Sequence, residues 1–334
     1  MTAPIFIAIG DTVTDDFIEL DDVRIDTKRD PEDRGYPEIC FRFGDKVAFK
    51  ESVVVNGVGN AANAAVCAAR LGLPTAFVSD IGADDLGEKS VAAFRENGID
   101  CRWVRMHADM KSNHHYVLRY KAERTILVKH APYPYALPDD LEAPEWMYFT
   151  SIGEHGIPYH HEIAAYIAAH PETKLAFQPG TFQISVGYEA IKDVYENSEL
   201  FFCNKDEARV ILNTDESDMR ELLKKVRALG PKTVVITDGP NGAYAYDGSD
   251  TWFVPMYPDP KPPLDRTGSG DAFSATLTAA LALGKSLPEA LAWAPVNSMS
   301  VVQYIGAREG LLSRAKLDGY LAAAPDGYKV EKVG

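Results

Sequence analysis

The stretch DRTGSGDAF, residues 265–273, places two aspartates around a Thr-Gly-Ser-Gly turn. The residues that follow, AFSATLTAALALG, are good helix formers, whereas the preceding VPMYPDPKPP contains too much proline for a helix interior. We therefore expect the motif where a loop enters a helix. Unpaired backbone N–H groups at a helix start attract anions. The sequence thus predicts an anion-binding turn between Asp265 and Asp271.

Short apolar runs alternate with helix-like stretches along most of the chain. The runs lie at 4–10, 75–80, 145–150, 173–178, 199–204 and 232–239. This alternation predicts an α/β fold with a mostly parallel central sheet flanked by helices. Ligands of such folds bind at the carboxyl ends of the strands, where Asp11, Asp80, Asn204 and Asp238 fall.

Two regions, 22–55 and 103–130, depart from the alternation. Both have the pattern of extended strands of alternating polarity, and HHYVLRY-KAE-RTILVKH within the second is a candidate hairpin. We expect a single domain over residues 1–334, with these inserted strands forming a small β-rich lid. The alternative is that they extend the edge of the central sheet.

The composition limits the class of protein. With 334 residues, 46% of them apolar, the chain can bury a large core, and its formal charge of −15 argues against nucleic-acid or anionic-membrane partners. The four cysteines form no CxxC pair, which favours a reduced cytosol and no cysteine-bound metal. No apolar run approaches the roughly 18–20 residues of a membrane span, and no signal peptide is recognisable. We expect a soluble, cytoplasmic protein.

A second glycine-rich stretch, SVVVNGVGNAANAA at 52–65, permits another interpretation. Gly57-x-Gly59-x-x-Ala62 matches the dinucleotide-binding fingerprint, and Asp80 follows at a strand end, where a ribose-binding acid is expected. The stretch begins after more than fifty residues, however, and not on the first strand. A nicotinamide-dependent oxidoreductase would also leave DRTGSGD unexplained.

Taken together, the two loops resemble the ribokinase-like family of carbohydrate and nucleoside kinases, also called the phosphofructokinase-B type. DRTGSGDAF matches one family signature, with Arg266 as a departure. The other signature, in which Val58 departs, is matched by Gly59, Ala61, Asn63, Ala65, Gly72 and Gly82. Asn204-x-x-Glu207 matches the family's N-x-x-E motif, and TDGPNG at 237–242 its nucleotide-side glycine segment.

The resemblance implies an ATP-dependent kinase that phosphorylates a hydroxyl by in-line attack. Asp271 matches the catalytic base, and the amides of residues 267–270, including Gly268, Ser269 and Gly270, would hold the developing phosphate charge. The alternative for Asp271 is a simple helix cap.

On the acceptor side, the resemblance points to Asp11, Gly59 and Asn63. Polyols need partners that both accept and donate hydrogen bonds, and Asp with Asn supply both. Asp15 or Asp16 is expected to join them, although the charged mouth of a loop explains both acids equally well. Tyr116, together with His115 on the lid, would cover the acceptor, unless these rings only pack.

On the nucleotide side, the resemblance implies ATP and Mg²⁺. The expected nucleotide-binding residues are Asn204, Thr237, Gly239, Gly242, Thr267 and Asn297. Asn204 and Glu207 would hold Mg²⁺ through water, or would form only a capping box. Asp265 and Thr267 would bind a monovalent cation such as K⁺, or would brace the loop.

The acceptor itself stays open at this stage. A small sugar is expected first and a nucleoside second, while a non-catalytic sugar sensor and the oxidoreductase are alternatives of other classes. A sugar acid would need a basic contact, for which Arg105, Arg119 and Lys121 are candidates. We also expect a homodimer formed through the lid, because exposed strands pair readily.

Overall fold

The computed structural model of the protein describes residues 4–26, 38–121 and 123–334. Strands and helices alternate along most of this length. The strands are Phe6–Ile9 (β1), Val13–Leu20 (β2), Arg24–Asp26 (β3), Glu38–Cys40 (β4), Phe49–Val58 (β5), Thr75–Gly82 (β6), Val104–His107 (β7), Asn113–Tyr120 (β8), Glu123–Leu127 (β9), Trp146–Phe149 (β10), Lys174–Phe177 (β11), Ser198–Asn204 (β12), Thr233–Thr237 (β13), Ala243–Tyr246 (β14), Thr251–Val254 (β15) and Glu331–Lys332 (β16).

The helices cover and connect these strands. They are Asn60–Arg70 (α1), Asp85–Glu96 (α2), Ile157–Ala169 (α3), Thr181–Val186 (α4), Lys192–Glu196 (α5), Lys205–Leu212 (α6), Met219–Arg227 (α7), Ser269–Ala282 (α8), Leu287–Val301 (α9) and Arg314–Ala322 (α10). The longest, α9, has 15 residues, and none of the described helices is long and apolar enough to cross a membrane.

The central sheet has ten strands in the order β16-β15-β14-β13-β12-β11-β10-β1-β6-β7. Pairing is parallel from β7 to β13 and antiparallel from β13 to β16. Strand β1 is wholly apolar because both of its faces are buried. Phe6 and Ala8 belong to the core cluster on the face that α1, α8 and α9 cover, whereas Ile7 and Ile9 belong to the cluster on the face that α3 and α7 cover. The predicted α/β fold with a mostly parallel sheet is confirmed.

A separate four-stranded sheet has the order β5-β2-β8-β9. It contains the expected hairpin, in which β8 and β9 pair antiparallel. Two boundaries differ from the prediction. Strand β2, outside the predicted ranges 22–55 and 103–130, lies at the centre of this sheet, and β7, within the second range, pairs with β6 and extends the central sheet. Residues 27–37 of the first range lie outside the described residues.

The two glycine-rich loops meet at the carboxyl ends of the parallel strands. One loop leads into α1 at Asn60 and the other into α8 at Ser269, and the two helices pack against each other. Residues separated by about two hundred positions in the sequence therefore share one site.

Candidate active site

The turn before α8 requires glycine at its centre. Gly268 is the N-cap, with φ +77° and ψ 5°, which is left-handed backbone. A Cβ at this position would lie 2.1 Å from the Cβ of Ala307. The first helical backbone bond is donated by Ala272 N to Gly268 O at 2.8 Å, so the N–H groups of Ser269 and Gly270 precede it. Amides in this position have no acceptor within the helix and can receive an anion.

Asp271 lies in the first turn of α8 and is held by two amide side chains. Nδ2 of Asn63 donates to its Oδ2 at 2.9 Å, and Nε2 of Gln178 donates to its Oδ1 at 3.2 Å. Burial of the carboxyl raises the pKa of Asp271; the two hydrogen bonds act against this, and the charge of Asp15 raises it further. Both hydrogen bonds come from other elements, so Asp271 is not merely capping its own helix.

Asp265 braces the turn from the other side. Its Oδ1 accepts hydrogen bonds from the N and Oγ1 of Thr267, at 2.9 and 2.7 Å, and its Oδ2 accepts one from Gly306 N at 2.9 Å. The bracing interpretation therefore has a geometric basis. The same contacts reduce the number of amides in the expected anion hole. The amide of Thr267 is directed at Asp265, so the available amides begin at Gly268.

Asp11 follows β1 and is 3% exposed. Its carboxylate lies 2.6 Å from Nδ1 of His130 and accepts a hydrogen bond from the hydroxyl of Tyr135 at 2.9 Å. Gly59, with φ +106°, passes so close that a Cβ would lie 3.2 Å from the carbonyl oxygen of Asp11. Glycine thus allows the loop that carries Asn63 to approach Asp11.

The lid residue that reaches this region is His115, and not Tyr116. Nε2 of His115 lies 3.1 Å from Nε2 of His130, and its Nδ1 lies 3.4 Å from Oδ1 of Asp15. Tyr116 is 43% exposed and packs on the ring of His114. Neighbouring side chains of a strand point to opposite faces, so placing His115 inward turns Tyr116 outward. The prediction for Tyr116 is wrong in this respect, whereas Asp15 is brought to the site.

An open cavity adjoins the turn at Ser269 and Gly270. It is open to solvent and holds about 150 Å³. Its lining includes Thr237, Gly239, Pro240, Gly242, Met256, Asp259, Arg266, Ser269, Gly270, Phe273, Pro295, Ser298 and Met299. Arg266, the departure from the family signature, is among these lining residues.

Asn297 does not reach the cavity. It is fully buried; its Nδ2 donates to Thr276 Oγ1 at 2.8 Å, and its Oδ1 accepts from Leu312 N at 2.9 Å. The adjoining Ser298 lines the cavity instead. The nucleotide-binding prediction for Asn297 is therefore wrong, because its amide completes a polar contact inside the core.

Asn204 and Glu207 form a reciprocal cap at the start of α6. Glu207 N donates to Asn204 Oδ1 at 2.9 Å, and Asn204 N donates to Glu207 Oε2 at 2.8 Å. Burial raises the pKa of Glu207, with the cap bonds acting against it and the charge of Asp271 adding to it. Within residues 4–26, 38–121 and 123–334, no group of three His, Cys, Asp or Glu side chains is arranged to hold a metal ion.

Asp80 is engaged elsewhere. Arg105 donates to both its carboxylate oxygens at 2.8 Å, and Nε2 of His107 lies 2.7 Å from Oδ1. A ribose-binding acid would need a free carboxylate, so the geometry removes the main support for the oxidoreductase. Arg105 is likewise occupied and does not serve as the basic contact for a sugar acid.

Three site residues were missed by sequence reasoning: Gln178, His130 and Tyr135. Gln178 had a usable signal, because it directly follows the buried strand β11 at its carboxyl end. His130 and Tyr135 belong to no motif, and they lie 119 and 124 residues from Asp11 in the sequence.

Comparison with known proteins agrees with this geometry. The family profile "pfkB family carbohydrate kinase" matches residues 21–314. The bifunctional ribokinase/ribose-5-phosphate isomerase A of Fructilactobacillus sanfranciscensis is 24% identical over 282 residues, which cover 81% of this chain but only 51% of that protein. The chain thus spans about half the length of that relative.

A second relative and a solved structure cover more of their own length. The ATP-dependent 6-phosphofructokinase of Thermoanaerobacterium thermosaccharolyticum is 26% identical over 261 residues, 75% of this chain and 80% of that protein. Arabidopsis thaliana ribokinase complexed with ribose and ATP superposes with a TM-score of 0.78 at 20% identity, covering 96% of this chain and 99% of the other. With a fold in common and a family profile that matches most of its length, the chain belongs to the pfkB family of carbohydrate kinases.

Proposed function

We propose that the protein transfers the γ-phosphoryl group of ATP to a hydroxyl of a small sugar. The observation that carries this proposal is the position of Asp271, directly beside the amides of the turn before α8. Asn63 contacts its carboxylate, Gly59 in the loop before Asn63 approaches Asp11, and the cavity lined by Ser269 and Gly270 adjoins the same turn. Two binding regions thus meet at one carboxylate and one anion-binding turn, which is the arrangement that phosphoryl transfer needs.

In the proposed reaction, Asp271 accepts the proton of the attacking hydroxyl. The hydroxyl oxygen forms a bond to the γ-phosphorus as the bond from that phosphorus to the β,γ-bridging oxygen breaks, and ADP leaves. The raised pKa of Asp271 makes it a stronger base than an exposed aspartate. The amides of Gly268, Ser269 and Gly270 stabilise the negative charge on the transferring group.

We assign the nucleotide to the cavity beside the turn, where Thr237, Gly239 and Gly242 form part of the wall. Glu207 and Asn204 would hold Mg²⁺ through water, since the ion retains much of its hydration shell in such sites. The cap uses one carboxylate oxygen of Glu207. When bound, Mg²⁺ supplies positive charge that offsets the charge of the phosphates. K⁺ at Asp265 and Thr267 remains an alternative to simple bracing.

A nucleoside is the second acceptor candidate, because the family resemblance covers both kinds of kinase. The lid would close over either acceptor, since β2 and β8 bring Asp15 and His115 towards Asp11. A sugar sensor that lacks turnover is the alternative of another class. It has less support, because Asp271, the glycine turn and Asn63 are all present and in contact range.

We also propose that two copies associate through the lid and that the protein acts in the cytoplasm. Apolar side chains on the four-stranded sheet are exposed in a single chain: Phe49 by 55%, Val54 by 50% and Leu127 by 53%. Exposed strands with such side chains favour pairing. Sedimentation at micromolar concentration tests this proposal, and a monomer would contradict it.

The function is tested by two measurements on the same preparation. Titration with ATP and with NADH should show binding of ATP only, and ATP hydrolysis should become acceptor-dependent in a panel of sugars and nucleosides with Mg²⁺. ATP binding without turnover of any acceptor would favour the sensor. NADH binding in preference to ATP would favour the oxidoreductase hypothesis.

A further inference from the structure

The acceptor region is built from carboxylates. Asp11 is buried, Asp271 is enclosed by the turn and α1, and Asp15 lies close enough for its charge to affect Asp271. Oδ1 of Asp15 and Oδ1 of Asn63 are buried and accept no hydrogen bond from the described residues, although Nδ1 of His115 lies 3.4 Å from the Asp15 oxygen. Buried acceptors of this kind require donors. Hydroxyl and amine groups of a ligand are donors, whereas phosphate and carboxylate oxygens at neutral pH are not.

The two histidines cannot balance this negative charge. Nδ1 of His130 faces Asp11 at 2.6 Å, so it carries a proton and donates to that carboxylate. The two Nε2 atoms of His115 and His130 are 3.1 Å apart, a contact in which only one of them can carry the proton. The pair therefore holds at most one positive charge, either on His130 beside Asp11 or on His115 beside Asp15.

Three basic side chains of the surrounding elements have other positions or partners. Arg105 pairs with Asp80, Lys205 lies 3.3 Å from Asp238, and Arg266 lines the nucleotide cavity. Among the described residues, no Arg or Lys forms an ion pair with Asp11, Asp15 or Asp271. Of the charged side chains in the described part of the chain, an anionic ligand group would thus face two or three carboxylates and one imidazolium at most.

From this arrangement we infer that the acceptor site selects sugars that are neutral or carry an amine, and rejects sugars that carry a phosphate or a carboxylate. Asp15 is the residue that sets this selectivity. A like charge brought next to a buried carboxylate is repelled far more strongly than it would be in water. The inference rests on the proposed kinase function. It also means that this chain differs in its acceptor from its 6-phosphofructokinase relative, whose name specifies a phosphorylated acceptor.

The test compares acceptors that share a scaffold and differ in charge. Fructose, 1-amino-1-deoxyfructose and fructose 6-phosphate form one set, and ribose and ribonate form another. The wild type should use the best neutral or amino sugar with a kcat/KM about 100-fold or more above that of its anionic counterpart. Asp15→Asn should reduce this ratio about tenfold, because it removes one negative charge at nearly constant shape.

Glu19→Gln is the matched control. It removes one negative charge from the same strand, but Glu19 lies 3.4 Å from Lys50 at the exposed end of β2. The ratio for this variant should equal that of the wild type. An equal change in both variants would show that net charge, and not the position of Asp15, is responsible, and would overturn the assignment.

Calorimetry keeps this test independent of turnover. The same sugars are titrated into protein saturated with a non-hydrolysable ATP analogue and Mg²⁺, and the order of affinities should follow charge in the same way. If no sugar is phosphorylated but neutral sugars still bind, the proposed function fails and the charge inference stands. A phosphate- or carboxylate-bearing sugar as the best ligand would overturn the inference, as would a panel in which no neutral or amino sugar binds.

Discussion

Replacement of Gly268 by alanine tests whether the turn before α8 must hold its position. The residue has φ +77°, and left-handed backbone costs a residue with a Cβ about 1–2 kcal/mol. The added Cβ would also lie 2.1 Å from the Cβ of Ala307 and 2.7 Å from its Cα, so the two segments must separate by roughly 1 Å. We expect Gly268→Ala to lower the free energy of unfolding by about 2–4 kcal/mol.

The effect on turnover should exceed the effect on stability. A displacement of roughly 1 Å in an aligned site can reduce the rate about 10²-fold, and loss of one charge-stabilising donor costs about 10²–10³. We therefore expect kcat of Gly268→Ala to fall by about 10² or more. Urea unfolding and steady-state ATP consumption are to be measured at one temperature at which both proteins remain folded.

Gly284→Ala provides the control at the other end of α8. Gly284 has φ +78°, nearly equal to that of Gly268, but a Cβ there meets no atom within 4 Å. This variant should lose about 1–2 kcal/mol of stability and keep kcat within a few-fold of the wild type. The reasoning is refuted if Gly268→Ala loses the predicted stability and yet turns over as fast as Gly284→Ala.

Three further predictions concern protonation, the core and the metal. Asp271 must be deprotonated to act as a base, and its pKa is raised, so activity should fall with decreasing pH earlier than it would for an exposed aspartate. Asp15→Asn removes a like charge that raises this pKa, so the acid limb of the kcat/KM profile should move to lower pH; an unmoved limb would exclude Asp271 as the titrating group. Asn297→Ala should destabilise the protein by about 2–4 kcal/mol in urea unfolding, because it leaves buried partners unsatisfied, and should leave the KM for ATP unchanged. Glu207→Gln retains an oxygen that can accept from Asn204 N, so stability should stay within about 0.5 kcal/mol, while the Mg²⁺ concentration for half-maximal rate should rise several-fold. An unchanged Mg²⁺ requirement would leave Glu207 with only its capping role.

Much of the fold could be predicted because its signals are local. Apolar strands such as Phe6–Ile9, alternating with helices, indicate a buried parallel sheet. Proline before DRTGSGD and helix formers after it locate the anion-binding turn. The contact between Asn63 and Asp271, 208 residues apart in the sequence, was accessible only through the family resemblance, since no local pattern links the two loops.

The remaining differences depend on how elements are oriented. A polar residue on an apolar helix looks the same from sequence whether it faces a cavity or the core, and the rotation of α9 placed Asn297 inward and Ser298 outward. Strand register likewise chose His115 over Tyr116. The antiparallel edge of the central sheet depends on Glu331–Lys332, a strand of two residues that pairs with β15 and carries no distinguishing pattern.

The most direct test of the central claim is single-turnover phosphoryl transfer by Asp271→Asn, with Mg²⁺, ATP and the best acceptor of the wild type. The substitution keeps an oxygen that can accept from Asn63, loses the oxygen that accepts from Gln178, and removes a buried carboxylate whose raised pKa makes its charged form unfavourable to folding at neutral pH. Because the last two effects oppose each other, stability should change by no more than about 1–2 kcal/mol, and ATP affinity should be preserved. The account predicts that the rate falls by at least about 10². A folded Asp271→Asn variant that transfers the phosphoryl group at nearly the wild-type rate would contradict it.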